Sequence, residues 1–143
     1  MSAPTPPLRS RYSSTDPLAQ PLRGATMGEA YARFWRKYGM FDGRASRSEF
    51  WWASLANAFV ALAVGAIAVA LGAGVAPSVG VVVAGLYALA TLVPSFALIN
   101  RRLHDTGRSG WWQLLAFVPF GGIAIVVLAA LPETSEGARY DIL

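Results

Sequence analysis

The sequence predicts an all-α membrane protein with three transmembrane helices, a short amphipathic interfacial helix and a disordered amino-terminal tail. Two observations predict this fold class. Hydrophobic residues make up 55% of the 143-residue chain and charged residues only 14%, whereas a soluble domain carries roughly 25% charged residues. In addition, residues 50–100 include no charged side chain and no histidine. Such a stretch cannot supply the polar surface of a small soluble fold, which excludes a soluble enzyme, a disordered protein and a coiled coil.

The amino-terminal tail is predicted from its proline content. Five of the nine prolines lie within residues 1–25, among serine, threonine and glutamine. Such a segment cannot bury enough apolar area to offset the entropy of ordering it. It also lacks the apolar region of a cleavable signal peptide. We therefore assign residues 1–25 to a disordered cytoplasmic tail and residues 26–143 to the membrane domain.

A short amphipathic helix is predicted over residues 27–38. Thr26 and Glu29 have the spacing of a capping box, and Gly39 can end the helix. Apolar and aromatic side chains recur on one face, with basic side chains largely away from its centre. This pattern is typical of a helix in the membrane interface, and the alternative is a helix packed on the protein's own loops. The apolar face comprises Met27, Ala30, Tyr31, Phe34 and Tyr38, and the bases are Arg33, Arg36 and Lys37.

Three apolar stretches predict the spans, at about residues 50–71, 79–100 and 111–131. Each has roughly 20 residues and reaches roughly 30 Å as a helix, which is the hydrocarbon thickness of a bilayer. A transmembrane span explains this length of uncharged sequence better than a buried helix of a soluble protein. We therefore expect all three stretches to cross the membrane.

Small and polar residues within these stretches predict how the helices contact one another. Ala66, Ala70 and Gly74 form a ridge with four-residue spacing, which allows close approach of helix backbones. The few polar residues are expected to form interhelical hydrogen bonds rather than a polar path. No ionisable group lies deep in a stretch, which argues against a proton relay or a voltage sensor. The polar residues are Asn57, Thr91, Ser95 and Asn100.

Charge distribution predicts the orientation. Residues 1–49 contain eight basic residues against four acidic ones, and residues 101–108 contain three against one. Lys and Arg are enriched on the cytoplasmic side, so both segments are expected there. Residues 72–78 and the acidic tail, residues 133–143, are then expected outside. All five tryptophans lie on the side assigned to the cytoplasm, where indole rings favour the headgroup level: Trp35, Trp51, Trp52, Trp111 and Trp112.

Two motifs precede apolar stretches on this side. The first reads FDGRASRSEFWW over residues 41–52, and the second reads RRLHDTGRSGWW over residues 101–112. In the first motif, Ser46 and Glu49 have capping-box spacing for the following helix. In the second, residues 105–107 favour a tight turn, because glycine permits backbone angles that other residues avoid.

The two motifs resemble the signature of a widespread bacterial family of small inner-membrane proteins, catalogued as domain of unknown function 805. The matching patterns are F-x-G-R-x-x-R-x-x-F-W and R-R-L-H-D-x-G-R-S-G-W-W. The resemblance covers about residues 27–143, including Pro132 and the pair Arg139 and Tyr140. It implies an inner-membrane protein with a few helices, and it implies no activity, catalytic residue or cofactor.

The motif residues are candidates for binding an anion. Helix amino termini at this surface present free N–H groups, and guanidinium groups bind phosphate oxygens in bidentate fashion. We therefore expect a site for an anionic lipid headgroup or a phosphate, or for a partner protein. The alternative is that the arginines only fix topology and pair with Asp42, Glu49 and Asp105. The candidates are Arg44, Arg47, Arg101, Arg102, His104, Asp105, Arg108, Trp111 and Trp112.

The adjacent residues His104 and Asp105 are the one feature typical of acid–base chemistry. No nucleophile motif accompanies them, and a single histidine with no cysteine gives no usable set of metal ligands. Structural hydrogen bonding is the favoured interpretation. We assign no catalytic residue, no metal site and no cofactor.

The predicted function is that of a non-enzymatic, multi-pass protein of the bacterial inner membrane with a cytoplasmic amino terminus. Its cytoplasmic arginine and tryptophan residues would contact anionic membrane lipids or a partner protein. A homo-oligomer or a membrane-protein partner stays open, whereas nucleic acid is not expected, because the basic residues flank apolar spans. Two alternatives remain: an enzyme acting on a lipid headgroup through His104 and Asp105, and a subunit of an oligomeric channel or transporter.

Overall fold

A computed structural model describes residues 17, 18 and 20–141, and within these ranges the chain is all-α. The prediction for residues 1–16 therefore lies outside the described residues. The elements are α1 (Met27–Arg36), α2 (Arg47–Gly74), α3 (Pro77–Asp105), a first 3₁₀ helix (Gly110–Phe117), α4 (Gly121–Ala130) and a second 3₁₀ helix (Ser135–Tyr140).

Helices α2 and α3 form an antiparallel hairpin with a two-residue connection. They have 28 and 29 residues, and at 1.5 Å per residue each is roughly 42–44 Å long. Both are long and apolar enough to cross a membrane, yet only 11% and 22% of their most apolar windows are buried. A core helix of a soluble protein would be mostly buried, so this exposure favours lipid as the surroundings of the hairpin. The two candidate spans agree with the first two predicted stretches.

The close approach of α2 and α3 occurs at Gly80. A Cβ atom on Gly80 would lie 2.3 Å from the carbonyl oxygen of Ala68, so only glycine fits there. The predicted ridge of Ala66, Ala70 and Gly74 is exposed and is not at this contact. The ridge prediction was wrong here, because spacing alone does not show which face of a helix meets its neighbour.

Polar side chains within the hairpin bond to the helices themselves. The hydroxyl of Tyr87 donates to Oδ1 of Asn57 at 2.8 Å, which links α3 to α2. The hydroxyl of Thr91 donates to the carbonyl of Tyr87 at 3.0 Å, one turn before Pro94. The prediction of an interhelical hydrogen bond is thereby confirmed for Asn57.

The third apolar stretch is not one helix, and the prediction of a span over residues 111–131 was wrong in this respect. The eight-residue 3₁₀ helix Gly110–Phe117 is followed by the ten-residue helix α4, Gly121–Ala130. Pro119 has no N–H group and disfavours the helical conformation at the preceding residue, and Val118 is extended at φ −97° and ψ 141°. Phe120 then adopts a left-handed conformation with φ 63°, which reverses the chain.

This reversal brings the chain back to the end of the hairpin from which it left. Gly110 lies against the side chain of Asn100, and the carbonyl of Ala129 accepts a hydrogen bond from Arg102. Eight residues of 3₁₀ helix span about 16 Å and ten of α-helix about 15 Å, so the two arms match in length. Neither arm reaches across roughly 30 Å of hydrocarbon.

The acidic tail therefore lies at the same end as the amino-terminal segment. Glu133 contacts Arg23 at 2.7 Å and Arg44 at 3.8 Å, and Asp141 contacts Arg44 at 3.4 Å. The prediction that the tail lies on the opposite side from the amino end was wrong, because the third stretch turns back. We call this end of the molecule, which contains residues 41–49 and 100–108, the ionic end.

Helix α1 confirms the predicted helix and its capping box. The backbone N–H of Thr26 donates to the Glu29 carboxylate at 3.0 Å, and the Thr26 hydroxyl does so at 2.8 Å. Both bonds lower the pKa of Glu29, and the backbone bond has the larger effect. A lowered carboxyl pKa means that the stabilisation is present at neutral pH and is lost as the pH falls through that lowered value.

The central residues of the apolar face of α1 pack on the hairpin, whereas Met27 and Tyr38 at the two ends of that face are exposed. Ala30 and Phe34 are buried with Phe50, Ala53 and Leu98. Of the three bases that were expected away from this face, Arg36 is exposed, but Arg33 and Lys37 are buried at the ionic end. For those two bases the prediction was wrong, because they face a buried carboxylate.

The chain before α1 is also tied to the ionic end. The backbone N–H of Leu22 donates to the Glu49 carboxylate at 3.1 Å, and Ala25 is buried in the core. Arg33 donates to the carbonyls of Pro17 and Gln20. The described part of the predicted tail therefore packs against the helices.

Candidate functional site

Glu49 is the centre of the first buried ion cluster at the ionic end. Its carboxylate lies 2.9 Å from Nη1 of Arg101, 3.2 Å from Nη1 of Arg33 and 3.9 Å from Nζ of Lys37. Ser46 caps α2 by accepting from the N–H of Glu49 at 3.1 Å, which fixes the position of the carboxylate. We call Glu49 and its three bases the Glu49 cluster; it joins α1, α2 and α3.

Asp105 is the centre of the second cluster. Nε of Arg44 donates to Oδ1 of Asp105 at 2.8 Å, and Nη1 of Arg102 donates to Oδ2. Arg44 comes from the loop before α2, and Arg102 lies one turn before Asp105 on α3. We call these three residues the Asp105 cluster; it joins the two sequence motifs.

Arg102 also binds the carbonyl groups at the end of α4. Its Nε donates to Ala129 at 2.8 Å and its Nη2 to Leu131, while Nη1 donates to Ala45 at 3.3 Å. A cation at a helix carboxyl terminus satisfies carbonyls that have no partner within the helix. Arg102 therefore holds the returning arm of the third stretch against the hairpin.

Both clusters are buried, and burial gives their ion pairs a structural role. Among the described residues, five buried cationic side chains contact two buried carboxylates, and Glu49 and Asp105 are each 1% exposed. Removing one partner of a buried ion pair leaves an uncompensated charge in a low dielectric. Structural ion pairs thus engage Arg44, Arg101 and Arg102. This agrees with the alternative interpretation of the motifs, in which the arginines pair with Glu49 and Asp105.

His104 and Asp105 are adjacent in sequence but have different partners. Nδ1 of His104 lies 3.1 Å from the carbonyl of Gly43, and Nε2 lies 3.3 Å from the amide nitrogen of Asn100. The imidazole stacks on the ring of Tyr140 with a centroid distance of 4.0 Å. One ring nitrogen therefore contacts the first motif directly, and the other contacts Asn100, whose amide donates to the carbonyl of Phe41 in the same motif. The stacking contact with Tyr140 links the ring to the acidic tail.

The remaining candidate residues lie at the surface. Arg47 is exposed at the start of α2, and Arg108 is half-buried after the turn at Gly107, whose φ is +75°. Trp111 is 77% exposed and Trp112 is exposed. Trp51 and Trp52, at the end of the first motif, are also exposed. We call Arg47, Arg108, Trp51, Trp52, Trp111 and Trp112 the collar.

An apolar groove of about 320 Å³ lies on the outer side of the 3₁₀ helix. It is lined by Trp111, Trp112, Leu114, Leu115 and Val118, with Ser109 at its edge. Its composition suits hydrocarbon chains. Among the residues that the structure describes, no group of three His, Cys, Asp or Glu side chains is placed to hold a metal ion.

The role of α1 in the site was not predicted from the sequence. Arg33 and Lys37 are spaced one helical turn apart, so they lie on one face, and this spacing was the available signal. Their partner Glu49 was recognised as a capping residue, yet its side chain binds bases rather than returning to Ser46. The distant pairing could not be read from local spacing.

Comparison with known proteins identifies relatives. The family described as "Protein of unknown function (DUF805)" matches residues 38–142, which include both motifs. The inner membrane protein YhaI of Escherichia coli strain K12 is 42% identical over 111 residues, which cover 77% of this chain and 90% of YhaI. The inner membrane protein YhaH of the same strain is 36% identical over 98 residues, which cover 68% of this chain and 80% of YhaH. No solved structure matches the chain.

Proposed function

The chain belongs to the DUF805 family of inner membrane proteins of unknown function, and from its geometry we propose that it is a non-enzymatic protein that binds anionic phospholipid. The binding surface is the collar. The observation that supports this proposal is the exposure of four tryptophans beside unburied arginines at one end of a hairpin that has no charged side chain over residues 50–100. Indole rings favour the headgroup level of a bilayer, which places the collar bases beside lipid phosphates.

The buried and exposed bases have different tasks in this proposal. The Glu49 and Asp105 clusters hold α1, the hairpin and the third stretch together, and their bases are already engaged with protein carboxylates. Arg47 and Arg108 remain for the membrane surface, where each base contributes on the order of 1 kcal/mol of attraction to anionic lipid. Of the motif arginines, only Arg47 and Arg108 are therefore assigned to lipid binding.

We assign the ionic end to the cytoplasm. Eight of the twelve basic residues lie before residue 50 and three more lie in residues 101–108, and cytoplasmic segments are enriched in Lys and Arg. Because the third stretch turns back, this assignment places both the amino-terminal segment and the acidic tail in the cytoplasm. The connection between α2 and α3 then faces the periplasm.

Quenching of collar tryptophan fluorescence by brominated lipids tests the proposal. The purified chain is reconstituted in vesicles that contain brominated phosphatidylglycerol or brominated phosphatidylethanolamine at equal mole fraction. We expect stronger quenching by phosphatidylglycerol, with a preference that weakens as salt is added, because exposed charges are screened. Arg108→Gln should reduce the preference, whereas Arg36→Gln, an exposed base on α1 outside the collar, should not. Equal quenching by the two lipids at low salt would contradict the proposal, and a partner protein or a second copy would become the better candidate for the collar.

A further inference from the structure

A cavity of about 330 Å³ opens at the ionic end, beside the first turn of α2. Its volume lies at the lower end of the range for small-molecule sites, about 300–1,000 Å³. The cavity is open to the surroundings, because three of its charged lining side chains are exposed: Arg23, Arg47 and Glu133. Its polar lining also includes Ser46, Ser48 and Asp105.

The carboxylates in the wall already have cationic partners. Asp105 contacts Arg44 and Arg102, and Glu133 contacts Arg23 at 2.7 Å and Arg44 at 3.8 Å. Arg47 differs from these bases, since its guanidinium group makes no ion pair or hydrogen bond with any residue in the described part of the chain. The cavity therefore has one guanidinium group in its wall that is available to a ligand.

The charged side chains in and behind the cavity wall have a net charge of plus one. Within the described residues, four guanidinium groups in and behind the wall face three carboxylates. The like charges of Arg47 and Arg102 also repel each other, which an anion placed beside Arg47 would relieve. The bases are Arg23, Arg44, Arg47 and Arg102, and the acids are Asp105, Glu133 and Asp141.

We propose that this cavity binds one phosphodiester monoanion, the phosphate of a phospholipid headgroup, with Arg47 as the principal contact. The inference rests on the proposed function and deepens it, from a surface that favours anionic lipid to a defined site for one headgroup. A single negative charge balances the network, and a guanidinium group donates two parallel hydrogen bonds to phosphate oxygens.

The position of the cavity favours a lipid over free phosphate. Trp51 lies four residues after Arg47 on α2, a rise of about 6 Å along the helix axis. Because exposed indole rings such as that of Trp51 lie at the headgroup level, Arg47 is placed at the depth of lipid phosphates or just outside it. Free phosphate shares the same chemistry, and the experiment separates the two sources.

Lipid titration of the full chain in detergent, followed by native mass spectrometry, tests the site. We expect phosphatidylglycerol to occupy a first, saturable site, and Arg47→Gln to weaken that binding about tenfold, the loss of one charge-assisted hydrogen-bonding group. Arg36→Gln is the matched control and should change binding less than twofold. Glu133→Gln removes a wall carboxylate and releases Arg23, so it should strengthen binding about threefold or more by raising the local positive charge. A gain of affinity cannot arise from a folding defect.

Each outcome decides the inference. Weaker binding in Arg47→Gln together with tighter binding in Glu133→Gln supports it. Binding by Arg47→Gln equal to that of Arg36→Gln overturns it, and if vesicle quenching still favours phosphatidylglycerol, the proposed function survives without the defined site. Equal, Arg47-dependent binding of phosphatidylglycerol and phosphatidylethanolamine supports the phosphodiester site while removing the preference for anionic lipid. Displacement of the first lipid by inorganic phosphate overturns the lipid assignment.

Discussion

Among single residues, Glu49 connects several segments of the chain to α2. Its carboxylate faces Arg33 and Lys37 from the α1 region and Arg101 from α3, and it accepts from the backbone of Leu22. Two nitrogens of Arg101, Nε and Nη2, are buried and have no hydrogen-bond partner among the described residues. The one strong bond of this guanidinium to Glu49 is therefore its main compensation, and the cluster depends on the carboxylate charge.

Neutralising Glu49 should destabilise the protein strongly. In Glu49→Gln three buried bases lose their counter-charge, so we expect the free energy of unfolding to fall by about 3–5 kcal/mol. Glu133→Gln is the matched control. The side chain of Glu133 is 49% exposed and that of its partner Arg23 is 64% exposed, and an exposed ion pair contributes about 0–1 kcal/mol. Unfolding titrations in mixed micelles measure both variants. Equal stability of the two would show that the Glu49 cluster does not hold the segments together.

Local signals predicted contacts between residues close in sequence better than contacts between distant ones. The spacing of Thr26 and Glu29 predicted a capping box that is confirmed, because both groups lie within one helical turn. The pairing of Arg44 with Asp105 joins positions 61 residues apart. Such a contact depends on how α2 and α3 align, and side-chain spacing within one element does not contain that information.

Among the elements, the α2–α3 hairpin owes its close packing to a glycine. Gly80 lies against the backbone of Ala68, whereas Gly85 is exposed and a Cβ atom added there would meet nothing within 4 Å. We expect Gly80→Ala to cost about 1–3 kcal/mol, because the helices must separate to admit a methyl group. Gly85→Ala should be neutral or slightly stabilising. Thermal unfolding in detergent compares the pair, and equal midpoints would contradict the packing described for the hairpin.

The turn of the third stretch depends on a second glycine. A Cβ atom on Gly121 would lie 1.5 Å from the carbonyl oxygen of Leu115, whereas one on Gly122 would meet nothing within 4 Å. Gly121→Ala should therefore separate α4 from the 3₁₀ helix and lower stability by about 1–3 kcal/mol, with Gly122→Ala as the neutral control. Protease accessibility of residues 118–122 in detergent is the second measurement. Identical digestion of the two variants would mean that the two arms are not packed together.

Backbone bonding explains how this turn can be exposed. The N–H of Val118 donates to Leu115 at 3.0 Å, and the N–H of Gly121 donates to Val118 at 2.8 Å. Pro119 has no N–H group, and Phe120 is 84% exposed at the tip. Lipid-facing backbone must satisfy its polar groups internally, and these turn bonds do so on either side of the proline. The proline and the glycine pair were visible in the sequence, but hydropathy alone favoured a continuous span.

At the scale of the whole molecule, the structure combines an exposed apolar hairpin with one end that is dense in charge. Composition predicted the membrane class, because charged residues are confined to the two sides of a long apolar region. Hydropathy also located α2 and α3, which the structure confirms as candidate spans. The side on which the carboxyl-terminal tail lies was not predictable from hydropathy, since a half-length return and a full crossing have the same composition. Ion pairs from Arg23 and Arg44 to the tail distinguish the two.

Labelling of single cysteines from each side of the membrane tests most directly that the third stretch turns back. The chain contains no cysteine, so each variant carries one reactive thiol: Arg36→Cys at the end of α1, Ser78→Cys in the first turn of α3, and Glu136→Cys in the tail. All three positions are exposed. With a membrane-impermeant maleimide, we predict that Arg36→Cys and Glu136→Cys react in inverted inner-membrane vesicles, whereas Ser78→Cys reacts in intact spheroplasts. Reaction of Glu136→Cys together with Ser78→Cys would show that the third stretch crosses the membrane, and would contradict the turn at residues 118–122.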